Sequence, residues 1–173
     1  MRTFLDKMKD LKAEEIAQRG LQVSEEDLRA RVSGLPEPNS LSASLIHNSG
    51  GSPALIAEVK ARAPRRENFS ELKLESVIRD YESGGATAIS VLTDEQHFGG
   101  SLEALESAST LTTLPLLHKE FISSPYQLLE GRMRGASAAL ILAYYFTEEQ
   151  LRSILEEARK IDLECVVEVS LEQ

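Results

Sequence analysis

The sequence has a single cysteine, Cys165, so no internal disulfide is available to it. It holds no apolar run near the ~18 residues that a membrane-crossing helix needs. The opening stretch MRTFLDKMKDLKAEEIAQRG carries too many charges for the apolar region of a signal peptide. Together these absences predict a reducing, cytoplasmic setting and no membrane partner. Basic residues are outnumbered, 19 Lys and Arg against 28 Asp and Glu for a net charge of -9. Such a field repels nucleic acid, and no basic stripe interleaved with aromatics offsets it, so no nucleic-acid partner is expected. Any anionic ligand therefore needs a local cationic site. His47 and His97 have no companion at metal-ligand spacing and Cys165 is isolated, which predicts no metal.

What is present suits one globular fold: 42% of the 173 residues are hydrophobic. Residues 1–50 read as a helical extension. Phe4, Leu5, Met8, Leu11 and Ile16 fall near one helical face, SEEDLRARV reads as a second helix, and SGLPEPNS then breaks the pattern. From residue 51 to 173 short apolar runs alternate with helical patterns. The runs ALIAEV, AISVLT, LPLLHK, AALILA and ECVVEV are rich in Val, Ile and Leu, as buried parallel strands are. They begin near residues 54, 88, 114, 138 and 164, a spacing that fits a strand, a helix and two loops. Helix starts are marked by Ser124 with Gln127 and by Thr147 with Gln150, each read as a capping box, with Ser101 as a further N-cap. Gly84, Gly85 and Gly135 mark stops.

Five βα units in series fit either a doubly wound open sheet or a closed eightfold barrel. A dinucleotide-binding sheet calls for G-x-G-x-x-G after its first strand, and EVKARAPRREN has no glycine. The expected fold class is therefore α/β, a (β/α)8 TIM barrel of which about five units are present, preceded by the helical extension. An eightfold barrel usually takes ~250 residues, so strands six to eight are expected to be missing. A row of apolar strands with a bare edge is prone to self-association.

Charged residues stand at the ends of these strands. Glu58 and Lys60 lie two apart and share a face, Lys119 closes the third run, and Glu168 falls near the end of the fifth. In a barrel the C-terminal strand ends form the ligand-binding mouth. Two lysines and two glutamates converging there suit the binding of a carboxylate or phosphate and proton transfer. Glu168, flanked by valines, is expected to lose solvation on burial. The bland reading is that Glu58 and Lys60 merely pair with each other. His118 precedes Lys119 and is expected to point the other way, as a packed and hydrogen-bonded core histidine.

The blocks ALIAEVKARAP, GGATAISVLTDEQHFGGSLEAL, LPLLHKEFISSPYQLLEGRMRGASAALILA and ECVVEV resemble indole-3-glycerol phosphate synthase from about residue 54 onward. That resemblance implies a phosphorylated small-molecule substrate, 1-(2-carboxyphenylamino)-1-deoxyribulose 5-phosphate. Its conversion to indole-3-glycerol phosphate releases carbon dioxide and water without cofactor or metal. Carried over residue by residue, Lys119 stands at the general acid, Lys60 at the lysine that contacts the substrate carboxylate, and Glu58 beside it. Glu168 matches the acidic residue of the later dehydration, and Phe98 and Phe121 match the pocket of the aromatic ring. The family usually has K-x-x-S-P-S where this chain has Lys60, Ala61, Arg62, Ala63, Pro64 and Arg65, so a phosphate-binding hydroxyl is lost. Its hydrogen bond is worth ~1 to 2 kcal/mol; Arg62, with Arg65 and Arg66 as alternatives, is the candidate to compensate. Phosphate sites in such barrels usually follow strands seven and eight, so the 173 residues alone are expected to be inactive. The alternatives are a non-catalytic partial barrel that binds a sugar phosphate or joins a partner and, more distantly, another barrel such as phosphoribosylanthranilate isomerase.

Overall fold

A computed structural model describes residues 4–47, 53–60 and 73–169. Its centre is one parallel sheet of β1 (Ile56–Val59), β2 (Ala88–Leu92), β3 (Leu116–Lys119), β4 (Ala138–Leu142) and β5 (Glu164–Glu168). The strands lie side by side in chain order, each parallel to the next. A doubly wound sheet reverses its strand order at a switch point, and none occurs here. Because parallel crossovers keep one hand, an unreversed order puts every connecting helix on the same face and leaves the other face as a barrel interior. The arrangement is five units of a TIM barrel. The strands start within two residues of the positions read from the sequence.

Helices α1 (Phe4–Gly20), α2 (Glu25–Val32) and α3 (Leu41–His47) precede the sheet; α4 (Leu74–Ser83), α5 (Glu95–Phe98), α6 (Leu102–Leu111), α7 (Pro125–Met133) and α8 (Glu148–Arg159) follow its strands. The main core lies between the sheet's outer face and these helices. Alternate strand residues Ile89, Val91, Leu116, Ala139 and Ile141 pack there with Ile78, Leu105, Leu128 and Ile154. The opposite sheet face is sealed at its N-terminal end by α3, whose Leu41 packs with Ala88, Leu117 and Ala138. The extension is thus bound into the barrel: α2 also buries Leu28 and Val32 against Tyr126 and Leu129 of α7.

Local signals mostly act as their chemistry dictates. Ser24, Ser101 and Thr147 cap their helices, and Thr147 with Gln150 forms the complete reciprocal box. Ser124 caps α7 through the Tyr126 amide, but Gln127 does not complete a box with it. Its side chain instead accepts from the Ser123 amide at 2.8 Å and donates to the Phe121 carbonyl at 3.2 Å, holding the loop after β3. Gly85 and Gly135 take positive φ after α4 and α7.

Gly100 lies against the end of β2. A Cβ there would run into the Leu92 carbonyl group, 2.6 Å from its carbon and 2.9 Å from the Thr93 Cα. Both neighbours are backbone and cannot turn aside. Gly100→Ala is expected to destabilise the fold by about 1–3 kcal/mol, read as a lower urea midpoint at unchanged slope; an unchanged midpoint would show that the loop absorbs the methyl group.

Candidate active site

The C-terminal ends of the strands bring most of the sequence-read residues together. Glu58 sits inside β1 and aligns with Ser90; Lys119 closes β3 and aligns with Leu92. The Lys119 ammonium donates to Glu58 Oε2, while the Lys60 ammonium lies 3.7 Å from Glu58 Oε1. One carboxylate therefore holds two ammonium groups from different strand ends. The bland expectation of a simple Glu58–Lys60 pair is too small: Lys119 makes the closer contact. All three side chains remain about one-third exposed, so a ligand can compete for them.

Aromatic rings flank the charges. Phe98, at the end of α5, has its ring centroid 5.0 Å from Lys60 Nζ, within cation–π range. Phe121 follows at 6.2 Å from Phe98 and 6.4 Å from Tyr145. A cavity of about 270 Å³ opens among Lys60, Lys119, Phe98, Phe121, Leu142, Tyr144 and Glu168. A larger hollow of about 580 Å³ runs beside β5 between Pro38, Ser42 and Val167, but among the described residues Arg159 is its sole cationic lining residue.

Glu168 lines the cavity and receives a long contact of 3.5 Å from the Tyr144 hydroxyl. The expectation of a desolvated Glu168 is corrected, since it is exposed. Among the described residues its strand pairs on one side only, with β4, and the neighbouring valines do not enclose it. Arg62, with Ala63, Arg65 and Arg66, lies outside the described residues.

Beside the cavity lies a buried charge cluster that the sequence reading missed. Lys12 of α1 is 2% exposed at its side chain, with its ammonium 2.9 Å from Asp94, 3.0 Å from Glu15 and 3.3 Å from Glu120. Burial works to lower the Lys12 pKa, but the Glu120 charge and bonds from Asp94 and Glu15 outweigh it and the net direction is upward. For Asp94, burial pushes upward and is overcome by the Lys12 bond and the His97 amide, leaving its carboxyl below the usual range. For Glu120 burial wins, and its carboxyl sits above the usual range despite Lys12. The clue was the stripe Met8, Lys12, Ile16, a lysine placed where apolar residues face the core.

His118 is the core residue the alternation predicts, 1% exposed and pointing away from the cavity. Thr93 Oγ1 donates to Glu120 Oε2 at 3.0 Å and lies 3.0 Å from His118 Nε2. A hydroxyl has one proton, so with Glu120 ionised the Nε2–H must donate to Thr93. Nδ1 is left unprotonated and, among the described residues, without a hydrogen-bond partner. Burial, then the Arg19 and Lys12 charges, push the imidazole down to about 3. Among the described residues no group of His, Cys, Asp and Glu is arranged to hold a metal ion, and no helix is long and apolar enough to cross a membrane.

The fold and these residues define a βα-barrel protein with a charged, aromatic-walled cavity at its strand ends. Residues 5–173 match the family model for indole-3-glycerol phosphate synthase, and the chain belongs to that family. It is 42% identical over 116 residues to the indole-3-glycerol phosphate synthase of Staphylococcus aureus (strain bovine RF122 / ET3-1), covering 67% of this chain and 45% of that relative. It is 37% identical over 172 residues to the synthase of Acaryochloris marina (strain MBIC 11017), covering 97% of this chain and 55% of that relative. The chain spans about half the length of the curated relatives it matches.

Proposed function

We propose that this chain supplies the acid–base half of an indole-3-glycerol phosphate synthase, a decarboxylating lyase of tryptophan biosynthesis acting in the cytoplasm. The observation that carries the reading is the single carboxylate, Glu58, holding both Lys60 and Lys119 beside the Phe98 and Phe121 rings. The substrate is an anthranilate ring joined to a phosphorylated ketose. Its ring lies against the phenylalanines and its carboxylate meets Lys60. Lys119 gives a proton to the ketone oxygen as the ring carbon attacks, so charge never accumulates on oxygen. Loss of carbon dioxide returns the bonding electrons to the ring system. In the dehydration the new hydroxyl takes a proton from Lys119, reprotonated from solvent, and leaves as water, while Glu168 accepts the proton lost from the methylene carbon beside the ring nitrogen. No redox step is required.

Turnover is proposed to need the βα units by which the relatives exceed this chain, with phosphate binding fixing the reacting carbons. Arg62 is proposed to contribute to that phosphate site. A second reading is a non-catalytic partial barrel that binds a sugar phosphate or associates with a partner or a second copy. It is favoured by Ala63, which stands where the family usually has a serine.

The test is the intact mass of the protein from its native source, with indole-3-glycerol phosphate formation assayed on the same material and on the 173-residue chain alone. Product from a longer native protein and none from the short chain is the expected pattern. A native mass of 173 residues without turnover supports the partial barrel, and turnover by the short chain removes the need for further units.

A further inference from the structure

We propose that Lys12 is a positioning residue of the cavity: from α1 it holds Asp94 and Glu120 and thereby fixes where Phe98 and Lys119 sit. This deepens the synthase reading and rests on its assignment of the cavity. The two carboxylates that Lys12 grips are the ones tied to those side chains. Asp94 caps α5, its Oδ1 accepting the His97 and Phe98 amides at 2.8 and 3.2 Å while Oδ2 faces Lys12. Phe98 is the last residue of that helix, so the cap sets the ring's position over Lys60. Glu120 follows Lys119 directly; its Oε1 accepts the Phe121 amide at 2.8 Å and faces Lys12 at 3.3 Å.

Both carboxylates also line the cavity. Lys12 therefore stands behind the cavity wall and ties the loops after β2 and β3 to one point. Two carboxylates on adjoining loops repel in a dry environment, and removing the cation between them would splay the loops apart. Glu15 takes part in the cluster from α1 itself, and its Oε1 also accepts a long hydrogen bond of 3.4 Å from Gln96 Nε2 of α5.

The test uses the 173-residue chain labelled with 13C at the lysine ε-carbons. Lys60 lies over the Phe98 ring, and its ε-methylene signal is displaced upfield by the ring; Phe98→Leu defines its position without one, and Lys60→Arg and Lys119→Arg assign the signals. In Lys12→Met the Lys60 signal is expected to move at least half way to the Phe98→Leu position and the Lys119 signal to shift with it. Lys12→Arg, which keeps the charge, retains both.

Lys12→Met leaves the cluster one charge more negative, so Lys12→Met/Glu15→Gln, which restores the local balance and keeps a side-chain oxygen to accept from Gln96, is measured beside it. A folded variant whose Lys60 and Lys119 signals stay in place overturns the proposal. So does loss of the fold in both variants, because Lys12 would then be a structural residue alone. None of these signals depends on turnover, whereas failure of the synthase reading shows as absence of product whatever the signals do.

Discussion

Lys119→Ala is expected to lower indole-3-glycerol phosphate formation by the turnover-competent protein roughly 10²- to 10⁴-fold, the span that a positioned general acid contributes. The reason is geometric. Lys119 closes β3, its ammonium reaches the Glu58 carboxylate, and it lines the cavity beside Phe121. The loss alone would not separate a proton donor from a fixed positive charge, and Lys119→Arg does. Arginine stays protonated across the working range, so it preserves the charge and withholds the proton. If Lys119 donates, Lys119→Arg is nearly as defective as Lys119→Ala; activity within a few-fold of the parent would make Lys119 an electrostatic partner only. Glu58→Gln provides the companion measurement. It removes the shared anion and lets both ammonium groups drift, with a smaller drop in kcat than Lys119→Ala.

The second large effect is on stability in mild acid. The unfolded chain binds a proton at His118 near the ordinary 6.5, whereas the folded chain refuses it until about 3. Through that interval the unfolded state holds more protons, so stability is full above 6.5 and falls as pH drops toward 3. The loss is about 2 kcal/mol at pH 5 and about 3 at pH 4. The ring is held between Thr93 and α7; a Cβ on Gly131 would lie 3.0 Å from the imidazole Cγ. Other groups titrate in the same range, so the readout is a difference. Unfolding free energies of the parent and His118→Gln, followed in urea between pH 7 and 4, should converge by about 2 kcal/mol by pH 5. Parallel curves would show that the buried ring does not control the acid limb.

The strand positions were legible because each strand is short, branched and apolar, and buried parallel strands demand that composition. The mouth residues were legible for the complementary reason: Lys60 and Lys119 interrupt apolar runs at strand ends. Lys12 was not, because on an amphipathic helix a lysine normally belongs to the wet face and only the folded chain shows three carboxylates converging on it. Asp94 and Glu120 stood in view within TDEQHF and HKEF, yet their partner is remote in sequence and no local spacing announces it. The Gln127 contact failed as a reading for another reason: an S-x-x-Q pattern fixes which groups are near, while the loop after β3 decides which amide the glutamine takes.

The side-by-side strand order also bears on the sequence in which the chain acquires its shape. Each βα unit finds its pairing partner in the unit just made, so the sheet can grow stepwise as the polypeptide leaves the ribosome, with short loop closures throughout. The three leading helices break that rule. They are synthesised before the sheet, but α2 needs α7, and Lys12 needs both Asp94 and Glu120. A segment made ahead of the sheet must wait for residues made about a hundred positions later, and its arrival locks the mouth of a sheet already built.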